Sequence, residues 1–241
     1  MRFKRILIVV FMLAALAVPM SVGAKGKGPA NAQSVSGVSC GLPESNAESL
    51  EILSNYYRGY WWDHTDLTVA VQAHPSATAA QLEAIHGAIA TWRSVLDECF
   101  GGLITLNDLT SSKRNRRHVD IILHYVPTAG GVAFEGYAVC GNHKCNNILV
   151  KSDPPPSQNV PSFIPQYLGW VTLHELGHAL GLGHTTNLEE SYDLMGYGWP
   201  DLGDPVLSDC DVDALQFVFA WVFEGGEPHA PAEGPYDCSL D

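Results

Sequence analysis

His174-Glu175-Leu176-Gly177-His178-Ala179-Leu180-Gly181-Leu182-Gly183-His184 decides the reading of this 241-residue chain. On a helix, residues four apart share a face, so His174 and His178 direct both imidazoles at one metal ion. Glu175 follows the first histidine and leans into the same cleft without being a ligand. Gly181 takes the left-handed conformation that ends a helix and turns the chain sharply. That turn brings His184 back as a third nitrogen ligand. Three neutral histidines with one open position are the donor set of a catalytic zinc, not of a closed structural one. At this chain's composition the eleven-residue pattern arises by chance roughly once in ten thousand sequences. A glycine-rich amphipathic helix with incidental surface histidines is therefore set aside.

Upstream, Met1–Ala24 reads as a signal peptide. Arg2, Lys4 and Arg5 precede an apolar run from Ile6 to Val18, and Val22-Gly23-Ala24 is a small-residue cleavage site. The run is too short to span a bilayer comfortably, so an uncleaved anchor is the lesser alternative. Removing the segment takes three basic and no acidic residues, which leaves 10 basic against 26 acidic and a formal charge of −16. Such a surface repels nucleic acid and anionic membrane and suits a soluble, secreted protein, taken here as a monomer with no stable membrane association. A hydrophobic fraction of 46% excludes a disordered chain, and the length fits one domain with a sizeable core.

All six cysteines follow the cleavage point: Cys40, Cys99, Cys140, Cys145, Cys210 and Cys238. An even count in an exported chain points to disulfides. Cys140 and Cys145 bracket a short loop and form the nearest pair. Cys210 with Cys238 would tie down the downstream tail, which leaves Cys40 with Cys99. A second zinc site using Cys140, Cys145 and His143 is weighed against this, and spacing and redox context favour the disulfide.

Lys25–Ser39 is rich in Gly, Ser, Ala and Asn and reads as a flexible mature N-terminus. A short helix is expected over Ala47–Tyr57, followed by the aromatics Tyr60-Trp61-Trp62 as packing residues. Leu67–Val71 reads as a strand. Leu82, Ile85, Ile89, Trp92 and Leu96 recur at helical spacing and predict a long amphipathic helix over Thr78–Leu96. Leu103–Leu106, His118–Val126 and Asn147–Lys151 read as further strands. The prolines of Asp153–Pro165 make that stretch a loop, with the histidine helix starting at about Gln166. Lys113, Arg114, Arg116 and Arg117 concentrate positive charge in one solvated loop without interleaved aromatics. Glu224–Asp241 is an acidic, Gly/Pro-rich tail with Cys238 as its anchor.

The extended histidine motif resembles the metzincin clan of zinc endopeptidases, whose three histidines bind zinc and whose glutamate is the general base. Asp193-Leu194-Met195-Gly196-Tyr197 sits where that clan has a methionine turn. Val171-Thr172-Leu173-His174 through His184 looks most like the matrixins, the matrix metalloproteinase family, as do Leu207-Ser208 and the helix expected over Asp211–Phe219. The resemblance covers about residues 60 to 223. It implies an α+β fold: a twisted mixed sheet, a long backing helix, the zinc helix, the methionine turn and a C-terminal helix. The implied layout is a signal peptide (1–24), a flexible segment with Cys40 (25–59), a catalytic domain (60–223) and an acidic tail (224–241). Gly130–Val139 would then hold the sheet's edge strand, onto which a peptide substrate adds as another strand.

By the same resemblance, zinc is held by His174, His178 and His184, Glu175 activates the water, and Met195 forms an apolar floor. Tyr197 departs from the matrixins, which carry proline there, and matches the astacins and serralysins, where this tyrosine is a fifth ligand that supports the transition state. Cys40-Gly41-Leu42-Pro43-Glu44 resembles the matrixin cysteine switch, a latency device; a disulfide at Cys40 is the competing reading. Asp201, Asp204, Asp209, Asp211 and Asp213 are chemically suited to a structural calcium, although Asp209 or Asp211 serves equally as a helix cap. The expected activity is secreted, zinc-dependent hydrolysis of peptide bonds in a peptide or protein substrate. The rivals are a non-catalytic zinc or peptide-binding domain and a zinc amidase of narrow specificity. An archaemetzincin-like aminopeptidase would carry a cysteine pair after the third histidine, and none follows His184.

Overall fold

The computed structural model describes residues 40–55, 60–112, 119–126, 136–141, 144–151, 165–186, 193–196 and 207–239. The predicted signal peptide, the basic loop over Lys113–Arg117, Tyr197, Asp201 and Asp204 lie outside them. Among the described residues no helix is long and apolar enough to cross a membrane.

The chain forms a mixed α+β unit around a five-stranded sheet. Its strands are β2 (Asp66–Ala73), β3 (Thr105–Asp108), β4 (Ile121–Val126), β5 (Gly136–Gly141) and β6 (Lys144–Lys151). They lie in the order β3-β2-β4-β6-β5, parallel throughout except for β5, which runs antiparallel to β6 and is outermost. The edge strand expected within Gly130–Val139 is β5, which shares Gly136–Val139 with that stretch and continues to Gly141.

Helix α1 (Ala79–Phe100) backs the sheet. Thr78 caps its first turn, accepting from Gln81 N while the Gln81 side chain reaches back to Thr78 N, and Gly101 (φ 58°) ends it in the left-handed region. Ile85, Ile89, Trp92, Leu96 and Phe100 bury one stripe of α1 in a core shared with Leu67, Val69, Val71, Ile121, Leu123 and Ile148 of the sheet. Burying a large apolar side chain fully contributes about 1.5–3 kcal/mol, so each of these five residues is a substantial part of what holds α1 in place.

Helix α2 (Pro165–Leu180) packs against α1 and is followed by β7 (Leu182–Thr185); α3 (Asp209–Val218) and α4 (Ala220–Glu224) close the unit. The short helix expected over Ala47–Tyr57 is not present. Ser49–Ile52 is strand β1, with Leu50 and Ile52 buried and their neighbours partly exposed, and a single 3-10 turn follows at Leu53–Asn55. The alternating burial is the period of a strand, and long-range partners fix it. β1 pairs antiparallel with β7 (Leu50↔Thr185, Ile52↔Leu182) on one side and with β8 (Tyr236–Asp237) on the other. The segment upstream of residue 60 and the tail beyond residue 223 thus both enter a second, three-stranded sheet, order β7-β1-β8.

Two disulfides brace that sheet. Cys40–Cys99 joins the approach to β1 to the end of α1, and Cys210–Cys238 joins α3 to the residue after β8, each with a Cα–Cα distance of 5.3 Å. For loops of 59 and 28 residues the chain-entropy argument gives about 4 and about 3.5 kcal/mol of stabilisation. Cys140 and Cys145 sit on adjacent strands around the Gly141↔Lys144 pair, but their side chains lie outside the described residues.

Candidate metal centre

Helix α2 carries the first two histidines into the interior. From Val171 to Leu180 nearly every residue is buried, including His174, Glu175 and His178. Gly181 ends the helix at φ +115°, where its N–H donates to His178 O (3.0 Å). The next residues enter β7, which holds His184 beside the helix. A strand at this point was not legible in the sequence. The ring centroids of His174 and His178 are 4.6 Å apart, those of His178 and His184 4.6 Å, and those of His174 and His184 5.2 Å. One nitrogen from each ring lies within 4.8 Å of the other two, the only such His/Cys/Asp/Glu group among the described residues.

The protonation of the rings follows from their partners. His174 Nδ1 is 2.7 Å from Leu194 O and His178 Nδ1 is 2.8 Å from Leu182 O. A carbonyl oxygen only accepts, so both Nδ1 atoms carry the proton and the Nε2 atoms are the acceptor nitrogens of their rings. Burial pushes His174 down to about 3, helped by the neighbouring His178, and pushes His178 down to about 4; their backbone carbonyls oppose this only in part. His184 is driven down by burial and then by the other two rings. All three imidazoles are neutral at pH 7, the form a metal requires. Donor type, number and tautomer therefore fit zinc.

Glu175 adjoins this cluster with its carboxyl buried. Burial alone raises it to about 8, and Oε2 has no hydrogen-bond partner among the described residues. A buried carboxyl oxygen without a partner among the described residues keeps its capacity to bond a water or a substrate group.

The methionine turn supports the histidines from below. Leu194 O orients His174, Thr185 N donates to Met195 O (3.1 Å), and Gly196 N donates to Asp193 O (2.9 Å). Met195 is fully buried. A Cβ at Gly177 would stand 2.5 Å from its sulfur, so the glycine between the two helix histidines is what allows the turn to approach this closely.

Tyr60 and Trp62, two of the three aromatics expected as packing residues, and Trp92 of the α1 stripe do more than fill space. Tyr60 OH donates to His178 O (2.9 Å) and Ala179 O (3.2 Å), Trp62 Nε1 donates to Ala179 O (2.9 Å), and Trp92 Nε1 donates to Leu173 O (2.8 Å). Sequence offered one general signal, that a buried Tyr or Trp needs a polar partner, and none for which partner.

The acidic residues after the turn divide. Ser208, not an aspartate, is the N-cap of α3, with Asp211 as its capping-box partner through Ser208 N→Asp211 Oδ2 (3.0 Å). Burial pushes Asp211 up to about 7, with Asp193 nearby adding to the rise. Asp209 Oδ1 accepts from Ser45 N (2.7 Å) and Cys210 N (2.8 Å). With Asp201 and Asp204 outside the described residues, the calcium expectation gains no ligand set. Cys40 is bonded to Cys99, and its sulfur therefore takes no part at the histidines.

No family model and no curated protein matches this chain. Among solved structures it is similar to archaemetzincin from Methanopyrus kandleri, with 18% identity, 63% of this chain and 94% of that one covered, and a TM-score of 0.41. It is likewise similar to high choriolytic enzyme 1, a hatching-enzyme zinc-protease from the medaka Oryzias latipes, with 12% identity, 73% and 100% covered, and a TM-score of 0.41. Likeness at this level is one of partial chain path, and the chemistry rests on the site itself.

Proposed function

We propose that this chain is a secreted zinc metalloendopeptidase of metzincin type, matrixin-like in its zinc motif. The observation that carries the reading is the convergence of three neutral imidazoles next to a buried carboxyl whose Oε2 has no hydrogen-bond partner among the described residues. The signal-peptide pattern and the two disulfides support export.

His174, His178 and His184 would hold the ion. Bound zinc supplies Lewis acidity, which brings a water's pKa near 7 and polarises a carbonyl. Glu175 is assigned the role of base: ionised beside the bound cation, it would accept the proton of the attacking water and return it to the departing amine. β5, outermost in the sheet among the described residues, can take an extended peptide as an added strand, which gives binding through backbone groups and little dependence on side chains. Met195 fills the space behind the histidines. Tyr197, by its match to astacins and serralysins, is assigned a supporting role at the transition state; full turnover in Tyr197→Phe would remove that role.

Metal analysis of the purified protein, casein zymography with and without chelator, and a peptide-library digest together test the reading. One equivalent of zinc and chelator-sensitive cleavage are expected. Zinc without any cleavage would favour the non-catalytic binding domain. Hydrolysis restricted to small amides would favour the amidase.

A further inference from the structure

Resting on the zinc reading of the site, we propose that Tyr60, Trp62 and Trp92 are positioning residues for the metal ligands. They act as side-chain donors that fix the backbone at both ends of the stretch carrying His174 and His178.

A helix leaves its last carbonyls without intrahelical donors, and at an exposed end water fills the gap. The end of α2 is buried, so the protein must supply the donors. His178 O takes Gly181 N and Tyr60 OH, and Ala179 O takes Tyr60 OH and Trp62 Nε1. Gly181 O takes Leu53 N at 3.0 Å. Carbonyls at 178, 179 and 181 are thus held from outside the helix, at the second ligand and across the turn that leads to the third. At the other end, Trp92 Nε1 holds Leu173 O, the carbonyl immediately before the first ligand. Tyr60 and Trp62 precede β2 and Trp92 lies on α1, so the clamp ties the ligand helix to both layers of the main sheet region.

The residue types suit the task. A buried Tyr or Trp presents a rigid apolar body and one donor, and has few rotamers to lose. Metal ligands must sit within roughly 0.5 Å and 10–20° of productive geometry, and that demand falls on the backbone when the rings themselves are short. His178 feels it most, because the peptide that Tyr60 holds is its own.

The test uses the full chain with Tyr60→Phe, which keeps the ring and removes only the hydroxyl, alongside Trp62→Phe. Zinc affinity is measured by chelator competition, the visible spectrum of the cobalt-substituted protein is recorded, and the urea midpoint of the metal-free protein is followed in parallel. Val222→Ala, a mild change in α4, whose main packing is on α3, controls for general loosening. Zinc binding about tenfold weaker with altered cobalt bands is expected for Tyr60→Phe, as for other partners that orient ligands, with no such change in the control. A Tyr60→Phe protein that binds zinc as tightly as the parent with an unchanged cobalt spectrum overturns the inference, whatever its stability. A parent protein that binds no zinc overturns the reading of the site, and the inference with it.

Discussion

Replacing Gly183 by alanine tests how the third ligand is held. The added Cβ would lie 2.6 Å from Glu51 Cβ, 2.7 Å from Glu51 O and 2.9 Å from Glu51 C. Carbon contacts settle at about 3.5–4 Å, so β1 and β7 must part by nearly 1 Å, and two of the opposing atoms are backbone that cannot swing aside. Crowding of this kind costs about 1–3 kcal/mol. The hydrogen bonds flanking the contact, Leu53 N→Gly181 O and Thr186 N→Ser49 O (both 3.0 Å), would weaken for a further ~1–3 kcal/mol. Alanine recovers about 0.4–1 kcal/mol through the unfolded chain. A net loss of about 2–4 kcal/mol is expected in urea unfolding of the metal-free protein. Zinc affinity should fall at least about tenfold, because His184 is the next residue. Gly87→Ala on α1 is the control: nothing lies within 4 Å of its added Cβ, and helix propensity alone should stabilise it by up to ~1 kcal/mol. A Gly183→Ala protein with the parent's midpoint and zinc affinity would refute the tight β1–β7 approach.

Glu175→Gln should keep its zinc and lose about 10²–10⁴-fold in turnover, and near-normal peptide cleavage would remove Glu175 as the base. His184→Ala should weaken zinc by at least about a hundredfold in chelator competition; an unchanged affinity would mean that the third ring is not a ligand. Cys210→Ser with Cys238→Ser should cost about 3.5 kcal/mol in urea unfolding, and a loss below about 1 kcal/mol would make the tail's disulfide incidental. The metal-free protein should be most stable near pH 6.5. Below that pH its unfolded chain protonates three histidines that the folded state keeps neutral, which outweighs the protons that the folded state holds on Glu175 and Asp211. Above it the unfolded histidines lose their remaining protons, and stability falls toward pH 8 because the folded state still holds protons, on Asp211 to about 7 and on Glu175 to about 8, that the already ionised unfolded carboxyls lack. Urea midpoints that climb steadily to pH 9 would refute this balance.

What was legible in the sequence was local. The spacing of His174 and His178, the glycine that ends their helix, the threonine that starts α1 and the apolar stripe of α1 each depend on residues within a few turns. β7 escaped because Leu182-Gly183-His184-Thr185 has no strand pattern of its own; it is extended because β1 lies beside it. β1 escaped for the matching reason: Glu48, Leu50, Glu51 and Leu53 favour a helix locally, and two partners from elsewhere in the chain override that preference. The donors Tyr60 and Trp62 meet their acceptors across 118 and 117 residues, a separation at which spacing carries no information. The pairings Cys40–Cys99 and Cys210–Cys238 were reached by assigning the short loop and the tail first, and neither had a geometric argument behind it.

The second sheet sets an order of events. His184 leans on β1, and β1 is flanked on its far side by Tyr236–Asp237, which are made long after the histidine motif. A nascent chain that has just produced all three histidines therefore holds the ion's ligands without the grip that gathers them. Gathering of the three rings is therefore a late event in the life of the chain, complete only once the downstream strand has been made and Cys238 has joined Cys210.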